Sequence, residues 1–304
     1  MTTVDRALAG LVVNLSISES DDSAKHGFPS WQVNRVMLQF VAALFGQGAG
    51  IVFGHDWRED GVMEAVHGFA LQMQPPIPLS PEAAGAELQP RLRNILPWPD
   101  VPRLPEPQRE QLRTTLRVET AGLPEELRQF DTEAQAAPNS PIYAYLRARG
   151  LTLLRHKLND ACDVRLCIGG RRSGSQGRYP GVIEEALLAL QGNKPLYVAS
   201  VLGGASEQVV GAIEGREIPP DFCGPTQTQH LYQQPPVTET NVATRKDRVV
   251  DRVAVWREFV DTGTQRIAER NHLTIAENNE LFHTPIIERA IELVLIGLSR
   301  VRAA

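Results

Sequence analysis

From Val164 onward the chain reads Val164-Arg-Leu-Cys-Ile-Gly-Gly170-Arg-Arg-Ser-Gly-Ser-Gln-Gly-Arg178-Tyr-Pro-Gly181-Val-Ile-Glu184-Glu185: a short apolar run, a glycine- and arginine-rich stretch, then Pro180-Gly181. Those residue types in that order could hold a phosphate-sized anion. Gly169, Gly170, Gly174 and Gly181 let backbone amides approach a ligand closely, Ser173 adds a hydroxyl, and Arg171, Arg172 and Arg178 carry forked donors matched to phosphate oxygens. Proline fits the first turn of a helix, so Pro180 marks a helix start whose free amides and positive dipole end favour the same anion. A solvated basic loop has the same composition and is the plain alternative. Glu184 and Glu185 open the helix, where acidic side chains suit the dipole without any ligand.

Other polar groupings are weaker. Asp60, Glu64 and His67 fall at i, i+4 and i+7, a spacing from which a metal could be held. A helix cap and two exposed side chains explain it equally, and no zinc or calcium signature accompanies it, so no metal is expected. His55 beside Asp56 reads first as turn polarity. Gly-x-Ser-x-Gly and Gly-x-x-x-x-Gly-Lys-Ser/Thr are both missing, which disfavours a serine hydrolase or a P-loop enzyme.

The elements that must position these groups follow from the hydrophobic pattern. Leu11 to Ser18 and Gly48 to Gly54 read as strands, each followed by a helix: Trp31 to Phe45, with Ser30 as N-cap and Gly46 as its close, and a second from an Asp60 cap through Leu71. Strand, helix, strand, helix predicts a parallel sheet. Ten of the 22 prolines lie between Pro75 and Pro107, so that stretch should be irregular apart from a short strand near Asn94 to Trp98. Residues 105–131 are charged and weakly helical, with Leu123-Pro124 as a helix start. A firmer helix covers Pro141 to Ala161 and feeds the Val164 strand. Lys194 to Ser200 is a further strand, and Gly203-Gly204 lead into a helix from Ala205 to Ile213. After a polar, proline-bearing stretch from Pro219 to Thr240, helices span Asp247 to Arg270 and Thr274 to Val301, the latter broken near Thr284-Pro285. The apolar tail Ile286 to Leu298 should be buried on the sheet or against a second subunit.

The fold class is therefore α/β: a Rossmann-like parallel sheet with helices on both faces, plus a C-terminal helical segment. Residues 1–215 are expected to form one Rossmann-like ligand-binding domain, with 75–140 as a proline-rich, irregular insertion, and 216–304 a loop and helices that pack on it or make an oligomer interface. Ligands of open α/β sheets bind outside the carboxyl ends of the strands. The loops there offer Ser16, Ser18, Glu19, Ser20, Gly54, His55, Asp56 and Arg58 from the first half, and residues 169–178, Gly203 and Gly204 from the second. Strand-end turn chemistry is the plain reading of Ser16, Ser18 and Glu19.

Bulk properties narrow the partners. At 304 residues, 42% apolar and 22% charged, the chain has the make-up of a soluble globular protein with ample core. A net charge of −5 argues against a nucleic-acid polymer as partner but leaves room for a small anionic nucleotide beside a local arginine cluster. The three cysteines, Cys162, Cys167 and Cys223, lack CxxC spacing, as expected in a reducing cytoplasm. The first residues do not read as a signal peptide, and no apolar run is long enough to span a bilayer, so no membrane partner is expected.

The Gly169-Gly170 and Gly181 to Glu185 blocks resemble the SLOG superfamily, the Rossmann-like fold shared by the DNA-processing protein A and the LONELY GUY phosphoribohydrolases. The LONELY GUY signature Pro-Gly-Gly-x-Gly-Thr-x-x-Glu sits at a strand-to-helix junction. Here Ile168 stands for its proline, the loop is longer, Val182 stands for its threonine, and Glu185 takes the place of its glutamate. The resemblance implies that Arg155, in Leu154-Arg-His-Lys157, works with Glu185 on a ribosyl bond if the protein is an enzyme. Glu185 would then stabilise positive charge on the ribosyl carbon or orient water; Arg155 as an ordinary solvated helix arginine is the alternative. Over residues 9–215 the chain is similar to bacterial SLOG proteins with Leu-Ser-Ile-Ser, Gly-Gly-Arg and Gly-Arg-x-Pro-Gly-x-x-Glu-Glu-Ala-Leu patterns. That group includes relatives in TRPM-type channels and prokaryotic defence systems and implies an NAD- or ADP-ribose-derived nucleotide as ligand. The expectation is a cytoplasmic nucleotide sensor that forms a homo-oligomer, with no further cofactor; a nucleotide N-glycosidase using Glu185 and Arg155 is the alternative, and an interaction module built on the apolar closing helix is compatible with either.

Overall fold

The computed structural model describes residues 6–54, 57, 61–73, 90–101, 104–224, 229–238 and 249–303. Strands β1 (Val12–Ser18), β2 (Gly50–Phe53), β3 (Leu92–Pro97), β4 (Leu116–Ala121), β5 (Val164–Gly169) and β6 (Leu196–Ala199) form one parallel sheet in the order β4-β3-β2-β1-β5-β6. Parallel neighbours require crossovers, which the helices supply. In chain order these are α1 (Ser30–Gly46), α2 (Met63–Met73), α3 (Glu106–Leu112), α4 (Asp131–Ala136), α5 (Pro141–Asp160), α6 (Gly181–Gln191), α7 (Gly204–Ile213), α8 (Pro220–Cys223), α9 (Gln229–Gln233), α10 (Arg252–Asn271), α11 (Ile275–His283) and α12 (Ile287–Ala303). The chain builds outward from β1 to β4, then returns through α5 to place β5 on the other side of β1. The sheet's direction of winding therefore reverses between β1 and β5, where open α/β sheets hold ligands. The architecture is the Rossmann-like α/β arrangement with C-terminal helices.

One face of the sheet is covered by α1 and α12. Phe40 and Leu44 of α1 and Leu293, Val294 and Leu298 of α12 share a core with Val13, Leu15 and Ile17 of β1 and with Leu166 and Ile168 of β5. The apolar tail is thus buried on its own sheet through Ile287, Leu293, Val294 and Leu298, while Ile291, Leu295 and Ile296 are partly buried and Ile286 stays exposed. The other face carries α5 and α6, and α10 extends that layer by packing Val255, Trp256 and Phe259 against α6 and α7. The Tyr197 hydroxyl donates to the Asn271 carbonyl at 2.7 Å, and Asn271 Nδ2 donates to the Leu196 carbonyl at 3.0 Å, which pins the end of α10 to the edge strand β6. Among the described residues no helix is long and apolar enough to cross a membrane.

Three expectations need correction. The stretch expected to be an irregular insertion supplies two of the six strands: β3 is longer than anticipated, and β4 lies within the charged segment expected to be weakly helical. β4 is an edge strand whose Arg117 and Glu119 stay partly solvated, and charged residues are common on edges, so its composition disguises it. Ser30 is the first residue of α1 and not its cap; Pro29 holds that position, and the Ser30 hydroxyl donates to Glu19 Oε1 at 2.7 Å. Gly46 is the last helical residue of α1, which Gln47 caps.

Candidate functional site

The β1–β5 register sets Ser16 opposite Cys167 and Ser18 opposite Gly169, so both strands end together. A crevice of about 150 Å³ opens at that end, walled by Ser16, Ser18, Gly54, Gly181, Val182 and Glu185, with Leu154 and Leu158 of α5 beneath. Gly54 packs tightly on α5: a Cβ there would lie 2.9 Å from Leu158 Cδ1 and 3.1 Å from Leu154 Cδ2, so those leucine ends would have to shift. α6 starts at the crevice wall with Pro180 as N-cap and no side-chain cap. Its first backbone bond runs from the Glu184 amide to the Pro180 carbonyl at 3.0 Å, and the amides of Gly181, Val182 and Ile183 have no partner among the described residues. Three open donors at a helix start are what an anion needs.

Beneath the crevice lies a buried charge network. Along β1, Asn14 and Ser16 face α5 while Leu15 and Ile17 face α1. Arg165, wholly buried in β5, reaches across to donate from Nη1 to Asn14 Oδ1 at 2.6 Å and to Glu185 Oε2 at 2.9 Å. The Ser16 hydroxyl donates to the same Glu185 oxygen. Glu184 is buried on the other side of the helix turn, where it accepts from Arg155 Nη1 and, at 2.9 Å, from the Thr152 hydroxyl. Burial works against the Arg155 charge, yet Glu184 and Glu185 together outweigh it and hold the guanidinium above its usual pKa. Gly177 and Gly181 lie on that guanidinium, and a Cβ at Gly181 would come within 3.1 Å of Nη2. Arg155 therefore lies directly under the loop. Its main partner is Glu184, with Glu185 Oε1 at 3.8 Å from Nε, and the cation that engages Glu185 most closely is Arg165. Burial raises the Cys167 thiol well above its ordinary range, which disfavours the thiolate form.

The glycine loop itself is largely satisfied by other parts of the chain. Asp21 Oδ2 accepts from the amides of Arg172 at 2.7 Å and Ser173 at 3.3 Å, so a carboxylate of the chain already fills that anion cradle. The Gly169 amide donates to Ser206 Oγ at 2.8 Å and the Gly170 amide to the Ser18 carbonyl at 3.0 Å. Arg172 is taken up by Asp22 at 2.8 Å, Asp221 at 3.7 Å and Glu207 at 3.8 Å. Arg171 stands 4.0 Å from Glu19, and Arg178 donates to the Val249 carbonyl. Ser173 and Gly174 sit at the outer part of the loop. Gly203 lies under Asp22 and His26, and Gly204 under Ser20 and the Gly170 carbonyl, so both have positive φ and close chain approach as sufficient reason to be glycine.

Of the residues expected to meet ligand, the structure gathers Ser16, Ser18, Gly54, Gly181 and Glu185 at the crevice, with Glu184 and Arg155 directly behind. Glu19, Gly169, Gly170, Arg171, Ser173, Gly174, Arg178, Gly203 and Gly204 do not line it. His55, Asp56, Arg58 and Asp60 lie outside the described residues. His67 pairs with Thr115 Oγ1 at 2.9 Å, a contact toward the sheet edge. The fold instead brings Asp22, His26 and Glu207 together, their ligand atoms within 4.8 Å of one another and Arg172 bonded into the same group. Sequence reasoning missed Asn14, Thr152 and Arg165. Arg165 had a visible signal: a charge in the middle of a buried apolar strand demands partners.

A family model described as SLOG cluster2 matches residues 7–281 of the chain. No curated protein and no solved structure matches it.

Proposed function

Since the chain belongs to the SLOG superfamily, we propose that it is a sensor that binds an NAD- or ADP-ribose-derived nucleotide, with a ribose-phosphate portion held in the β1–β5 crevice. Family membership supports nucleotide binding in general terms; the crevice supports the position. The observation that carries the reading is the set of three unpartnered amides at the start of α6 beside the Ser16 and Ser18 hydroxyls. The amides and the helix dipole take the phosphate, the Ser18 hydroxyl takes a ribose or phosphate oxygen, and Gly54 leaves room for the sugar. At about 150 Å³ the crevice is smaller than the roughly 300 Å³ at which drug-sized sites begin, so it accepts part of a nucleotide and not all of it. Because Asp21 closes the adjacent loop, the phosphate belongs at Gly181 to Ile183 and not at Arg172 and Ser173.

Calorimetric titration with NAD, ADP-ribose, cyclic ADP-ribose and AMP tests this. Binding of at least one is expected, weakened about tenfold by Ser18→Ala, which removes one hydrogen bond to a charged ligand. No heat and no rise in Tm with any of the four would refute the reading.

An N-glycosidase is the second reading, favoured by the place of Glu185 on the crevice wall. Its carboxylate is already engaged by Arg165 and Ser16, which weakens it as a stabiliser of a ribosyl cation and favours binding over turnover. Release of free base that disappears in Glu185→Gln would reverse that order.

A further inference from the structure

We propose that a second cavity, at the amino end of α5, receives the nucleobase of a dinucleotide-type ligand whose far ribose-phosphate end occupies the β1–β5 crevice; the inference rests on the nucleotide reading and deepens it. This cavity measures about 370 Å³ and lies between the first turns of α5, α9 and the glycine loop, with Asn139, Tyr143, Arg147, Gln176 and His230 around it. It is more than twice the size of the crevice and falls in the range of small-molecule sites.

Position links the two. α5 runs down into β5, so its first turn stands at the carboxyl end of the parallel sheet, the same end as the crevice. Arg147 borders the cavity and Leu154 floors the crevice; they are seven residues apart on one face of α5, about 10 Å along its axis. The glycine loop spans both, with Gln176 on the cavity and Gly181 on the crevice. A diphosphate joining two riboses covers such a distance.

Chemistry favours a base over an anion there. Tyr143 is half-buried and braced by Trp98, their ring centroids 5.3 Å apart, while Trp98 Nε1 donates to Asp131 Oδ1 at 2.8 Å. A ring held in this way offers a stacking surface. The Asn139 amide, the Tyr143 hydroxyl and the His230 ring have no hydrogen-bond partner among the described residues, so donors and acceptors are free for the polar edge of a base. Arg147 is committed instead: its Nε donates to Gln176 Oε1 at 2.7 Å and Nη1 stands 3.8 Å from Asp100. With that charge compensated, the cavity has less to give a phosphate than an aromatic heterocycle.

The test compares ADP-ribose with ribose 5-phosphate, titrated into the full chain and into two variants. Asn139→Ala/His230→Ala alters only exposed side chains, and Tyr143→Leu removes the stacking ring while keeping bulk against Trp98. The wild type is expected to bind ADP-ribose at least tenfold more tightly than ribose 5-phosphate, and each variant to lose about tenfold for ADP-ribose, the size of one stacked base, with ribose 5-phosphate unchanged. ADP-ribose bound equally well by the wild type and both variants would overturn the inference and leave the nucleotide reading standing, as would a loss shared equally by ribose 5-phosphate. Failure of both probes on the wild type would bring down the nucleotide reading and this inference with it.

Discussion

On the α1 side, β1 and β5 present Val13, Leu15, Ile17, Val164, Leu166 and Ile168, each 2% exposed or less. On the α5 side the same strands present Asn14, Ser16, Arg165 and Cys167, also buried; Ser16 and Arg165 bond directly to Glu185, and Asn14 is joined to it through Arg165. Both faces are dry, and they do different work. The apolar face contributes stabilisation that depends on area and packing and tolerates many shapes. The polar face contributes less net stability, because desolvating its charges offsets most of their attraction, but it orients the residues around the crevice.

The sharpest way to break that contrast is to leave a charge alone on the polar face. Glu184→Ala strips Arg155 of its main partner beneath Gly177 and Gly181, and a loss of about 3–5 kcal/mol is expected in urea unfolding. Arg155→Met/Glu184→Leu, which removes both charges, should recover most of it. Recovery that fails would mean the pair adds stability outright.

Leu15→Ala probes the opposite face. A cavity among α1 and α12 side chains should cost about 3 kcal/mol, within the range for buried leucines. Nucleotide affinity at subdenaturing temperature should stay within twofold of wild type, since Leu15 borders the crevice only through its backbone side of β1. A large affinity loss would show that the two faces are not separable.

The smallest effect lies away from both. Arg300 holds the Glu277 carboxylate down, with the Thr274 amide assisting, to a pKa of about 2. A depressed folded pKa gives stability that is fully present above the ordinary carboxylate value of 4.5 and lost as pH falls toward about 2. Glu277→Gln should therefore lower Tm slightly at pH 6 and much less at pH 2. An equal shift at both would place the effect in the capping box with Thr274 and not in the charge.

Much of the frame was legible. The strand, loop and helix from Val164 to Gln191, the long helix from Pro141 and the break at Thr284-Pro285 all follow from local pattern: apolar runs, proline at a helix start, proline ending a helix. β4 was hidden because an edge strand carries the charges of a surface segment. The site was legible in half. Ser16, Ser18, Gly54, Gly181 and Glu185 could be named from their places at strand and helix ends, whereas the present partners of the glycine-loop arginines could not: their residue type suits phosphate, and their neighbours in space are Asp22, Glu207, Asp221, Glu19 and the Val249 carbonyl.

The amino-acid order alone determined that this chain would wind a parallel sheet and bring a glycine-flanked helix start to its carboxyl end, because backbone sterics and hydrophobic period act over a few residues. Only the tertiary structure decided which donors stay open there. That outcome depends on Asp21, Asp22 and Arg165 arriving from distant strands and loops, and electrostatic partners are chosen by distance in space, which no local spacing encodes.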